Sequence, residues 1–210
     1  MTSQPPLGRV VIVPGARDLQ FRNPWLQRLL VSLYHLVGSE PGYDDAFYHN
    51  LKDEIRTGGL ALEVTIFDWS RGIGINRDIM PASRKLINEI GPNTSIFAFS
   101  TGALVAHKML ELHPELSLRK IVQVATPNLS RRLPFRGIKV VNIYSPADKF
   151  VRLGCLLLAP FNASVVLEGE NITNIALPNL NHNSLASNAL IQTGEYAGLS
   201  LFEVYLRYLS

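Results

Sequence analysis

The runs Val10-Val11-Ile12-Val13 and Val140-Val141-Asn142-Ile143 constrain this chain most. Neither alternates polar with apolar residues, so neither suits a strand with one face in water. Near-continuous Val/Ile runs suit strands covered on both faces, which is the condition of a parallel sheet packed between helices. Further runs of this kind predict strands over 9–13, 61–67, 95–99, 120–124, 138–144 and 164–167, with a weaker seventh over 172–176.

Amphipathic segments separate them. Pro24 opens a helical pattern over 25–37, in which Trp25, Leu26, Leu29, Leu30, Leu33 and Leu36 share one face. Helices follow over 44–56 (stopped by Gly58-Gly59), 78–89, 101–113 (stopped by Pro114), 184–190 and 199–209. Strand alternating with helix predicts an α/β fold: a three-layer α/β/α sandwich around a mostly parallel sheet of about six to seven strands. A length of 210 residues, with no repeat or linker, reads as one domain over 1–210.

Composition narrows the function classes. The formal charge is only +3 and the basic residues are dispersed apart from Arg131, Arg132 and Arg136, so no nucleic-acid partner is expected. The one cysteine, Cys155, stands in the apolar run LGCLLLAP and reads as a buried, inert thiol. Apolar runs reach about ten residues, half the roughly 20 of a membrane span. The N-terminus has no basic stretch leading into a long apolar one. The expectation is a soluble cytoplasmic protein. Scattered histidines and the absence of Cys pairs give no metal set, and the glycine turns lack the lysine or third glycine of nucleotide loops, so no cofactor is expected.

Ligands of parallel sheets bind beyond the carboxyl ends of the strands. The residues there are PGARD (14–18), DWSRG (68–72), STG (100–102), ATPN (125–128), SPADK (145–149) and PNLNHNS (178–184). They supply a serine, a carboxylate and an imidazole in the order Ser100, Asp148, His182. A serine hydroxyl is a weak nucleophile unless a base stands within hydrogen-bond reach, and that base needs a carboxylate to fix its tautomer. Asp148 also suits plain turn chemistry, and Asp68, at the end of the second strand, is a rival acid. His182 is the only histidine after Asp148; His35, His49, His107 and His113 fall in helices and read as structural.

With these residues the chain resembles the α/β-hydrolases, in particular small lipase- or esterase-like members without a large cap. The likeness runs from VVIVPGARD to LNHNSL. The family's Gly-x-Ser-x-Gly elbow is here Ala98-Phe99-Ser100-Thr101-Gly102, with alanine in the first place, and ATPN is similar to a small-Thr-Pro segment of many lipase-like members. The resemblance implies a serine hydrolase acting on a small-molecule ester or thioester, with acyl-lipids in range. Its catalytic residues would be Ser100, Asp148 and His182. Its oxyanion hole would use the N–H of Thr101 and that of Ala16, with Gly15 as the alternative. A second reading is a catalytically silent protein of the same fold that binds an apolar ligand or a partner.

The connection TPNLSRRLPFRG leaves no room for a lid domain. An open groove is therefore expected, walled by Val151, Leu153, Leu156 and Leu157, with Arg71, Arg131, Arg132 and Arg136 at its mouth as substrate contacts or solvated charges.

Overall fold

The computed structural model describes residues 8–16, 32, 45–58, 60, 62–69, 75–133, 137–158 and 163–210. Its strands are β1 (Gly8–Val13), β2 (Leu62–Ile66), β3 (Thr94–Phe99), β4 (Lys120–Val124), β5 (Lys139–Tyr144) and β6 (Ile172–Ala176). They form one sheet in the order β2-β1-β3-β4-β5-β6, and every neighbouring pair is parallel. The helices are α1 (Ala46–Thr57), α2 (Met80–Leu86), α3 (Thr101–Leu112), α4 (Lys149–Leu158), α5 (His182–Leu185) and α6 (Leu201–Leu209).

Alternate residues of each strand enter two separate cores, because successive side chains point to opposite faces. Val10, Ile12, Phe97, Phe99, Val122 and Val124 pack with Phe47, Tyr48, Leu51 and Ile55 of α1 and with Phe202 and Tyr205 of α6. Val11, Val13, Ile96, Ala98 and Ile121 pack with Ala82 and Leu86 of α2 and with Val105, Met109 and Leu110 of α3. Helices thus cover both faces of the all-parallel sheet at its centre, which is why β1 and β3 are apolar over Val10–Val13 and Ile96–Phe99. No helix among the described residues is long and apolar enough to cross a membrane.

On the second face the apolar surface gives way to a ladder of amides. Gln123 pairs in register with Asn142, and Asn142 with Asn174. Gln123 Nε2 donates to Asn142 Oδ1 and to Asn128 Oδ1, both at 2.8 Å, and Asn142 Nδ2 donates to Asn174 Oδ1 at 2.8 Å. His107 of α3 joins at the near end, 2.8 Å from Gln123 Oε1. The ladder fixes the register of β4, β5 and β6, the last two of which lead into Asp148 and His182.

The structure departs from expectation at four places. Residues 164–167 are not a strand. Only Ser164 forms a bridge, with Asn128, while Leu167 N and O are taken by the Asn174 side chain and Glu168 N by Arg131 O. The sixth strand is instead 172–176. Helix α4 occupies an apolar run that carried no helical expectation. The helix over 78–89 is broken into a π turn (Ile75–Ile79), α2 and a 3₁₀ turn (Ile87–Glu89), with Pro81 in the first turn of α2, where a missing N–H is tolerated. The helix over 184–190 is the shorter α5, begun by Asn181, whose side chain accepts from Ser184 N. The helix expected over 25–37 lies outside the described residues.

Candidate active site

β3 is buried along its whole length and delivers the chain to Ser100 at a sharp turn. Ser100 has φ 53° and ψ −125°, a conformation that costs a residue with a Cβ on the order of 1–3 kcal/mol. Its N–H donates to Val124 O at 2.8 Å, and its carbonyl accepts from Ala103 N at 3.1 Å to begin α3. The turn is possible because its neighbours are small. A Cβ on Gly102 would collide with Val13 O and lie 2.6 Å from Pro14 O; one on Gly15 would lie 3.1 Å from Ser100 Cβ. Ala98 is fully buried between β1 and β4.

Asp148 follows β5 and is 1% exposed. Its Oδ1 accepts from Val151 N at 3.0 Å in the first turn of α4, and its Oδ2 lies 2.7 Å from His182 Nδ1. The carboxylate therefore caps a helix and engages the imidazole at once. The His182 side chain is fully buried. Its ring centre lies 4.4 Å from that of Phe150 and 5.4 Å from that of Phe99, which puts it against the residue preceding Ser100. Tyr205 OH donates to Leu185 O at 2.6 Å and ties the far end of α5 to α6.

The remaining sequence candidates fall as follows. Thr101 is buried at the start of α3, and its Oγ1 accepts from Ala16 N at 2.7 Å. Gly15 N donates to Tyr48 OH at 3.0 Å. Asp68, the rival acid, is exposed. Arg131 and Arg132 pair with Glu168 at 3.9 and 3.4 Å. Arg132 and Glu168 also line a cavity of about 630 Å³ with Val140 and Ile172, at the amino ends of β5 and β6. That pair sits away from the sheet end that carries Ser100, which corrects its assignment to the mouth of the site. Arg71 and Arg136 lie outside the described residues.

Ser100 is 2% and His182 1% exposed, and Val151 is a core residue. The side chains of Leu156 and Leu157 lie outside the described ones. Burial first, and then the Asp148 charge, push the Cys155 thiol up to about 11, so it carries almost no thiolate at neutral pH. Burial brings His107 down to about 4 despite its bond to Gln123, so its imidazole is neutral there. Among the described residues no three His, Cys, Asp or Glu side chains are grouped to hold a metal ion.

No model of a known protein family and no curated protein matches the sequence. Solved structures match the fold. A predicted CIB-like hydrolase from Thermoplasma acidophilum is similar at TM-score 0.56 and 11% identity, over 100% of this chain and 87% of that one. Alpha/beta hydrolase domain-containing protein 10 from mouse is similar at TM-score 0.58 and 9% identity, over 99% and 90%. This chain has the α/β-hydrolase fold. Aspergillus fumigatus lipase B is similar at TM-score 0.50 and 12% identity, over 81% of this chain and 44% of the lipase.

Three residues of this α/β-hydrolase fold escaped the sequence. Phe150 and Phe99 each pack a ring against the imidazole, and Tyr48 OH accepts from Gly15 N in the loop after β1. Phe99, directly before Ser100, and Phe150, two residues after Asp148, carried a signal in their place in the chain; Tyr48 carried none.

Proposed function

We propose that the chain is a serine hydrolase that cleaves a carboxylic ester or thioester through an acyl-enzyme. The observations that carry this are the buried 2.7 Å contact of His182 Nδ1 with Asp148 Oδ2 and a serine in a strained strand-to-helix turn, whose preceding residue, Phe99, has its ring centre 5.4 Å from that of the imidazole. Asp148 holds the proton of His182 on Nδ1, so Nε2 is the basic nitrogen. Nε2 takes the Ser100 proton as Oγ bonds to the substrate carbonyl carbon, and the carbonyl electron pair moves onto oxygen. Collapse of that oxyanion breaks the bond to the alcohol or thiol, which leaves with the proton from Nε2. Water then repeats the sequence, releases the acid and restores Ser100. The likeness to a lipase supports ester substrates, and the apolar run of α4 beside Asp148 supports acyl groups among them.

A second reading, an apolar-ligand binder without turnover, draws on the burial of Ser100 and His182. Stopped-flow hydrolysis of p-nitrophenyl butyrate separates the two. The hydrolase gives turnover that Ser100→Ala abolishes; equal rates for both proteins would overturn it.

A further inference from the structure

Two amides of the loop after β1 approach the elbow, and both are already donors: Gly15 N to Tyr48 OH at 3.0 Å, Ala16 N to Thr101 Oγ1 at 2.7 Å. An amide has one proton, so an oxyanion at Ser100 cannot share the Ala16 N–H while that bond stands. A hydroxyl differs, because it accepts and donates together. Thr101 Oγ1 receives the Ala16 proton and keeps its own, and no acceptor among the described residues takes it. Thr101 directly follows Ser100 and is 6% exposed, so a charge formed there has little water to solvate it.

We propose that the Thr101 side chain is itself a catalytic donor of the oxyanion hole, a proposal that rests on the serine-hydrolase reading. The hydroxyl donates a hydrogen bond to the oxyanion, and the Ala16 N–H stands one bond behind, holding the rotamer and polarising the O–H. Thr101 then supplies two donors from one residue: its backbone N–H at the open end of α3 and its side-chain O–H. The site becomes selective for a developing negative oxygen, since a hydroxyl already fed by an amide is a stronger donor than a free one.

The test compares wild type with Thr101→Val, Thr101→Ala and Thr101→Ser, reading kcat and KM for p-nitrophenyl butyrate and the Ki of a trifluoromethyl ketone, whose serine adduct carries the oxyanion. Loss of the hydroxyl should lower kcat by about 10²–10³-fold and weaken the ketone comparably, with KM changed by less than about threefold. Thr101→Ser should stay within about tenfold of wild type. Thr101→Ala gives the same reading if valine disturbs the start of the helix. A Thr101→Val enzyme as fast as wild type or faster would overturn the proposal, the Ala16 N–H then serving the oxyanion directly. A serine variant as impaired as valine would overturn it too, because the methyl and not the hydroxyl would matter. A wild type that neither turns over the ester nor takes the ketone would overturn the hydrolase reading and this proposal with it.

Discussion

Asp148 gives one carboxylate oxygen to His182 Nδ1, at 2.7 Å, and the other to Val151 N, at 3.0 Å. Both neighbours donate, so the group must accept twice. Asparagine has one acceptor oxygen, and its NH₂ would face a donor on the remaining side. Asp148→Asn should therefore cost kcat about 10⁴-fold, as the imidazole loses its tautomer. It should also lower stability by about 1–3 kcal/mol, as a buried donor loses its acceptor. Ester kinetics and urea melts on one preparation check both, and a loss of activity below tenfold would contradict the assigned role.

The backbone of Ser100 makes a separate prediction. At φ 53°, glycine is relaxed and alanine is as strained as serine. Ser100→Gly and Ser100→Ala should both be inactive, but the glycine variant should be more stable than the alanine one by about 1 kcal/mol. Equal denaturation midpoints would mean that the turn carries no strain.

Gly102 tests the packing under the elbow. With a Cβ directed at Val13 O and Pro14 O, Gly102→Ala must push β1 and α3 apart. We expect a loss of about 3 kcal/mol or more, the upper end for overpacking a core. Gly91→Ala is the control, because its nearest atom would be Thr94 Oγ1 at 3.9 Å. Comparable losses at the two positions would contradict the account.

His107 predicts a pH dependence. Its folded value, about 4, lies below the ordinary 6.5, so folding favours the neutral ring. The unfolded chain binds more protons as pH falls through 6.5, and the stability held by the neutral form drains away between about 6.5 and 4. The full effect is on the order of 3 kcal/mol. Wild type should lose more stability between pH 7 and pH 4.5 than His107→Gln, which cannot titrate there. Parallel losses in urea melts would contradict the assignment.

Much of the fold could be read from the chain because strands buried on both faces announce themselves by unbroken Val/Ile runs. The misreading of 164–167 over 172–176 has a physical cause. Asn174 made the true strand look polar, yet it is the last member of the Gln123–Asn142–Asn174 ladder, and cross-strand register is invisible before the sheet is assembled. Helix α4 was missed because its apolar residues were read as a groove wall, although Val151 and Cys155, four residues apart, bury one face while Lys149 and Arg152 are exposed on the other. At the site, residue types and chain order pointed to Ser100, Asp148 and His182, while the Ala16–Thr101 hydrogen bond spans 85 residues and needs the fold to exist.

The central claim, that Ser100 is an activated nucleophile, is tested most directly by a fluorophosphonate probe followed by peptide mass spectrometry. The account predicts one covalent adduct, on Ser100, formed rapidly in wild type and at least about 10³-fold more slowly in His182→Ala, where the base is gone. An adduct on another residue, or labelling of Ser100 that ignores the loss of His182, would contradict it.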